Sequence, residues 1–429
     1  MEDRKSNVIL APAQLHHFWT GGVYYLWELS KKYRVILIVD ETYKNNVDFK
    51  KVIEAVNVLD VLYAPNRNII KRHFCYANDF KRLVKKYQPQ IIFHYEAIYS
   101  SMMYLYHWGN IVSPPSLRIS YLTGMPAFFN FEQNFGSVIE HAVNVIAKKH
   151  CLPKGFCKFL FRARGWILFL LDYYILPFLF IRKFFYPSCS PFTFDRFKNN
   201  GNACFDYYLL YESFEKKATA RIFGSEDRIR EIQHPLKTVS DELHKVLYNF
   251  REENIVLILP SYGHIDVYQN ETKKSDEEVI KLISLKWIEA ISLLKFKFEN
   301  YNFNWKLHPA QKQDYLWQEI TIKVRRAYPD ITLLPPDENA QKWILKSKVI
   351  VGEVSSVIWW SAFFETKITI SLDIFGISLM DFFKNYEGVY YFDSLKSLTE
   401  TDFINKCTCL SKSKRMLPTL SEFLEEVHK

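Results

Sequence analysis

Short runs rich in Val, Ile, Leu and Tyr recur along this chain, separated by stretches long enough to hold a helix. NVILAP at 7–12, YRVILIVD at 33–40, VLDVLYA at 58–64 and PQIIFHY at 89–95 set the pattern. Runs that are apolar on both faces fit strands covered on both sides, and helix-length connections allow such strands to lie parallel. The alternation therefore predicts an α/β chain built on an open, mostly parallel sheet. In such sheets ligands sit beyond the carboxyl ends of the strands.

The alternation breaks once and then resumes. Residues 221–254 contain a polar turn, the pair His234–Pro235 and a helical stretch, and a fresh strand, IVLILP, follows at 255–260. After it come the helical SDEEVIKLISLKWIEAISLLKF, the strand-like FNWKLHP, the helical QKQDYLWQEITIKVRRAY, the short ITLLPP, the helical ENAQKWILKS and the strand KVIVGEV. A chain of 429 residues exceeds the size at which a single core usually keeps growing. Two domains are expected, 1–240 and 241–429, the second ending in an amphipathic helix, PTLSEFLEEVHK.

Composition narrows the classes. Apolar residues make up 48% of the chain and aromatics 17%, which excludes a disordered or fibrous protein. The net charge of +9 favours phosphorylated ligands, nucleic acid or an anionic membrane surface. It is spread through short patches such as KRLVKKY at 81–87 with no nucleic-acid recognition motif, so nucleic acid is not an expected partner. The seven cysteines suggest neither a disulfide framework nor a metal site, and Cys407 with Cys409 is too sparse for zinc. No metal and no cofactor are expected, and the thiols read as reduced and cytoplasmic.

Residues 165–185, GWILFLLDYYILPFLFIRKFF, are nearly continuous in apolar and aromatic side chains, interrupted by Asp172 and Pro177. Lys158, Arg162 and Arg164 precede them, and Arg182 and Lys183 close them. An interfacial helix on an anionic membrane fits this pattern, and so does a buried core helix.

Several residues stand where a parallel sheet displays chemistry. Gly21 and Gly22 follow the first strand and lead into a helix, so their amides fit an anion or sugar contact, or simply a tight turn. The fourth strand ends in FHYEAIYSS, placing His94 and Glu96 at the carboxyl edge, and FFNFEQNFGS supplies a second acid, Glu132. Glu96 and Glu132 are candidate bases, although a carboxylate at a strand end also serves as a helix cap.

In the second half, His308 and Pro309 close a strand, and Ser355 with Ser356 follows another in VIVGEVSSVIWW. A strand, a small polar turn and a helix make a recipe for phosphate recognition, because the helix start supplies unpaired amides and the hydroxyls add donors. A serine there is equally a local N-cap. Gly352 permits close backbone approach in the same turn, and Glu353 suits a ribose hydroxyl or a helix cap. The loop holding Glu338 and Asn339 is placed to meet a base edge. EVSSV is not the nucleophile elbow GxSxG, and no phosphate-binding P-loop or dinucleotide fingerprint is present.

Lys306-Leu307-His308-Pro309 and Val354-Ser355-Ser356-Val357 resemble the His-Pro and Ser-Ser motifs of bacterial sialyltransferases, polysialyltransferases and Kdo transferases of the GT-B class, which use CMP-activated acidic sugars. The resemblance implies two Rossmann-like domains facing each other across a cleft. It implies an acceptor domain over 1–240 and a donor domain over 241–429, and the hydrophobic insertion at about 156–190 departs from the family's pattern. His308 would contact the CMP phosphate and help the leaving group depart. Ser355 and Ser356 would hold the phosphate, and the base would come from the first half; the residues themselves offer Gly21, Gly22, Pro309, Glu338, Asn339 and Gly352 around the donor and Glu96 or Glu132 as base. The implied activity is an inverting, metal-independent transfer from a CMP-sugar to a glycan or glycolipid acceptor. Its setting would be capsule or lipopolysaccharide synthesis, peripheral on the inner membrane. The family's acidic motif is not clearly matched in the first half. A UDP-sugar or CDP-polyol transferase, and an inactive membrane-associated scaffold on the same fold, are the alternatives.

Overall fold

The computed structural model describes residues 6–11, 18–64, 69–95, 114–121, 147, 152–160, 163, 206–211, 226–247, 252–261, 264–364, 366–376, 383–384, 386, 388–400 and 417–427. Glu96, Glu132, Cys407, Cys409 and nearly all of the apolar stretch from 161 onward lie outside the described residues. The chain divides into two compact units. One comprises Met1–Phe128, Val143–Asn249 and Met416–Lys429, and the other Phe129–Ala142 and Phe250–Arg415.

The first unit is built on a seven-stranded parallel sheet. Its strands are β1 (Asn7–Ala11), β2 (Arg34–Asp40), β3 (Asp60–Ala64), β4 (Ile91–Tyr95), β5 (Leu117–Tyr121), β6 (Tyr207–Leu210) and β7 (Ile229–Glu231). They lie in the order β3-β2-β1-β4-β5-β6-β7. The central strands are sealed on both faces: Val8, Ile9, Leu10 and Ala11 are all buried, as are Val35 to Val39. That double burial is why these strands read as continuous apolar runs. Helices α1 (Val23–Lys32), α2 (Val47–Ala55), α3 (Ile69–Tyr87) and α4 (Leu236–Leu247) belong to this unit. Asn46 starts α2 by accepting the Phe49 N–H at 2.9 Å.

The second unit repeats the plan with six strands. These are β8 (Glu253–Leu259), β9 (Asn302–Lys306), β10 (Thr332–Leu334), β11 (Ser347–Gly352), β12 (Ile368–Leu372) and β13 (Tyr390–Phe392), in the order β10-β9-β8-β11-β12-β13 and all parallel. Their crossovers include α5 (His264–Thr272), α6 (Asp276–Lys297), α7 (Tyr315–Ala327), α8 (Ala340–Lys346) and α9 (Ser356–Ser361), and α10 (Leu395–Glu400) follows the last strand. A reciprocal capping box of Ser275 and Glu278 opens α6, whose Ile283, Trp287, Ala290, Ile291 and Leu294 are buried. Trp287 meets Trp305 of β9 edge-to-face with centroids 5.3 Å apart.

In both sheets the order reverses direction beside the unit's first strand, between β1 and β4 and between β8 and β11. This is the doubly wound arrangement, and the reversal is the topological switch point where such sheets bind ligands.

The last helix, α11 (Leu420–Val427), belongs to the first unit, although the sequence reading assigned all of 241–429 to the second. Its anchors are specific. Ser421 donates to Glu28 at 2.9 Å, Glu425 pairs with Lys32, the Gln233 N–H reaches the Pro418 carbonyl at 2.8 Å, and Phe423 meets the Tyr207 ring. An amphipathic pattern gives a helix its buried face but does not name the core that receives it.

Candidate functional site

Because all six strands of the second sheet are parallel, the loops after β8, β9, β10 and β11 emerge at one edge. His308 and Pro309 follow β9, Glu338 and Asn339 follow β10, and Ser355 and Ser356 follow β11. The topology thus places the donor-site candidates of the second half along a single carboxyl edge. With strands about 4.8 Å apart, the loops after β9 and β11, which flank β8, are separated by about 10 Å.

The turn carrying His308 is built by its neighbours. Strand β9 ends at Lys306, three residues short of the expected run FNWKLHP, so His308 stands in the loop and is exposed. Pro309 opens a 3-10 turn, Pro309–Gln313, where a missing N–H and a preset φ are tolerated. Gln311 is fully buried and holds the turn by two bonds. Its Oε1 accepts the His308 N–H at 2.5 Å, and its own N–H reaches the His308 carbonyl at 2.9 Å. The backbone beneath the imidazole is therefore fixed while the residue itself reaches solvent.

Lys306 is buried and donates to the Pro336 carbonyl at 2.8 Å and the Leu307 carbonyl at 3.3 Å. Burial pushes its pKa down to about 8, with Glu338 and Asp337 pulling it part of the way back. Lys312 pairs with Asp337 across the same gap. The loops after β9 and β10 are thus tied together. Within the second loop, Glu338 pairs with Lys342 at 3.2 Å and Asn339 caps α8 through the Gln341 N–H at 3.0 Å. Neither residue was assigned these local duties by the sequence.

At the switch point, Gly352 is required for close approach: a Cβ there would lie 2.5 Å from the Leu259 carbonyl oxygen. Ser355 is the N-cap of α9, accepting the Ile358 N–H at 3.3 Å with an extended backbone, φ −158°. Its local reading therefore holds, and its hydroxyl proton remains for another acceptor. Ser356 opens the helix. Glu353 neither caps the helix nor reaches out to a ribose. It is fully buried, its Oε2 accepts the Ser261 N–H, and its pKa is raised well above the usual carboxylate value, chiefly by burial.

The first unit holds the remaining described candidates. Gly21 and Gly22 end a π-helical turn, Phe18–Gly22, that runs into α1. Gly22 has ordinary helical angles, φ −54° and ψ −37°, which any residue adopts. The pair is neither a left-handed turn nor part of the second unit. His94 lies beside Ala11 of β1 and Ser120 of β5 at the first sheet's switch point, but it is buried rather than displayed, and burial pushes its pKa down to about 3. It is a neutral imidazole at pH 7.

Sequence reasoning missed Gln311 and Lys306 as positioning groups. The available signal was a lysine inside an otherwise buried strand, since lysine is seldom buried without a partner. Among the described residues no group of three or more His, Cys, Asp or Glu residues is placed to hold a metal ion, and no helix is long and apolar enough to cross a membrane.

Two doubly wound units, the second with its polar loops gathered at one edge, define an α/β protein of the GT-B fold. Solved structures agree. The chain is similar to the UDP-GlcNAc 2-epimerase from Neisseria meningitidis bound to UDP-GlcNAc, with a TM-score of 0.56 and 9% identity, over 99% of this chain and 98% of that one. It is similar also to the UDP-GlcNAc 2-epimerase from Methanocaldococcus jannaschii, with a TM-score of 0.54 and 8% identity, over 99% and 98% of the two chains. At such identities the likeness shows the fold. No protein-family profile matches the sequence, and no protein of curated function does.

Proposed function

We propose that this chain is a nucleotide-sugar enzyme and, within that class, an inverting glycosyltransferase that moves an acidic sugar from a CMP donor to a glycan or glycolipid acceptor of a bacterial surface. The observation carrying this reading is the convergence of His308, on its Gln311-braced turn, with the Ser355–Ser356 turn on one carboxyl edge of a doubly wound sheet. The acceptor hydroxyl attacks the anomeric carbon, the bond from that carbon to the phosphate oxygen breaks, and CMP departs with the electron pair. Glu96 or Glu132 takes the hydroxyl proton. His308 and the Ser355–Ser356 turn meet the charge that develops on the phosphate, where preorganised donors lower a barrier most.

A second reading has its own support. The epimerase of similar fold from Neisseria meningitidis carries UDP-GlcNAc, which favours a UDP-sugar as ligand here. Calorimetry with CMP, UDP, GDP and CDP separates the two. Preference for CMP is expected, preference for UDP selects the second reading, and failure to bind any nucleotide overturns both. His308→Ala is expected to lower transfer by about 10²-fold to 10⁴-fold with cooperative unfolding retained. Near-normal transfer removes its catalytic role.

The reading includes a place on the cytoplasmic face of the inner membrane, at an anionic lipid surface. Phe156, Phe159 and Leu160 are 48%, 63% and 42% exposed, on a short run that also carries Lys154 and Lys158. Binding to vesicles containing phosphatidylglycerol, weakened at least fivefold by Phe156→Ser with Phe159→Ser, is expected. Equal indifference of both proteins to these vesicles overturns the membrane assignment.

A further inference from the structure

We propose that Glu353 is a positioning residue whose carboxyl clasps the loop after β8 to the loop after β11, and so sets the phosphate-facing geometry at the second unit's switch point. This rests on the nucleotide site of the preceding reading. Three contacts bring the two loops together. Glu353 Oε2 accepts the Ser261 N–H, Ser261 Oγ donates to the Val354 carbonyl at 3.3 Å, and Gly352 lies against the Leu259 carbonyl with no room for a Cβ. Ser261 and Glu353 are both buried, so neither bond competes with bulk water.

The clasp is made by an uncharged acid. A buried carboxylate with one backbone donor, and with the negative Asp373 nearby, is poorly compensated, and both effects favour the protonated form. Among the described residues Glu353 Oε1 has no hydrogen-bond partner, which also fits a neutral group better than an anion. The residue therefore contributes shape and one acceptor rather than charge. This explains an acid in an otherwise apolar strand end, VIVGEV: its length carries an acceptor from β11 to the first amide beyond Pro260, which has no N–H of its own.

Glu353→Gln keeps both acceptor and volume without any charge, and Glu353→Met keeps the volume but loses the acceptor. Two readouts are taken on the full chain: affinity for whichever nucleotide the calorimetric panel selects, and amide exchange of the peptide spanning Ser261. Glu353→Gln is expected to bind within about twofold of the parent protein with unchanged exchange. Glu353→Met should bind at least tenfold more weakly and exchange faster at Ser261, while unfolding cooperatively. Rescue by glutamine separates clasping from any need for an anion. Weak binding by a folded Glu353→Gln overturns the proposal, as does a Glu353→Met that binds and exchanges like the parent. If Glu353→Met does not fold, the glutamine variant alone decides. If the parent binds no nucleotide, the functional reading fails, and the exchange comparison still tests the clasp.

Discussion

The two units share one strand order over six strands, the first adding a seventh at its edge, and their described strand ends carry different side chains. Among the described residues, buried aromatic and imidazole groups stand towards the carboxyl ends of the first sheet's strands. Tyr25 and Tyr211 share a hydroxyl–hydroxyl bond of 2.8 Å, Tyr25 stacks on Tyr121 at 4.2 Å, and Tyr211 lies 4.2 Å from the His234 ring. Burial drives the Tyr25, Tyr121 and Tyr211 phenols far above their usual ionisation range. His94 and His234 are held neutral in the same way. The second sheet instead ends in polar loops tied to one another by Lys306 and Glu353, with Gln311 bracing the turn on which His308 is left exposed. A shared topology fixes where strands end, whereas the side chains at those ends decide what each strand end offers.

Acid should separate the units most strongly. His94 and His234 titrate near 6.5 when unfolded and near 3 when folded, so the unfolded chain binds protons first as pH falls. Their full contribution is present above pH 6.5 and is lost progressively as pH falls towards 3. By pH 5 the loss is about 2 kcal/mol for each. In the second unit His264, lowered by burial to about 4, acts in the same direction. Glu353 acts in the opposite one: its raised pKa means the folded state holds a proton that the unfolded state releases above about 4.5, so acidification restores stability there. Amide exchange at pH 7.5 and pH 5.0, corrected for intrinsic rates, is expected to show a larger loss of protection in β1, β4 and β6 than in β8 and β11. His94→Leu should remove about half of the first unit's sensitivity. Equal losses in the two sheets would break the contrast.

The same contrast explains what could be read from sequence. NVILA, RVILIVD and ENIVLIL announced their strands because central parallel strands are apolar on both faces. LRISY, YYLL, IRE, ITISL and YYF did not: they are short, or carry Ser, Thr, Tyr and Arg among the apolar residues, although Ser120, Thr369 and Ser371 are as buried as their neighbours. His308 and the serine turn were legible because small polar and imidazole groups at strand ends interrupt a strong pattern. Gln311, Lys306 and Glu353 were not, since their duties depend on partners 3, 30 and 92 positions away. Local pattern marks the strand end, and only the fold supplies the second half of each contact.

The smaller of the two tests concerns the glycines at the two edges. Gly22 sits in ordinary helical geometry, so its backbone makes no demand for glycine. At Gly352 the constraint is steric. An added Cβ would meet the Leu259 carbonyl oxygen at 2.5 Å and Ile358 Cδ1 at 3.0 Å. Ile358 can turn away, but Leu259 is the residue paired with Gly352 in the β8–β11 ladder, so relief there requires the strands themselves to part. Gly352→Ala is therefore expected to cost about 2–3 kcal/mol in urea unfolding and to speed exchange at β8 and β11. A cost below about 0.5 kcal/mol would mean that the strand ends yield readily. The Glu353 clasp would then span a gap of variable width, and the second edge would be no more rigid than an ordinary loop.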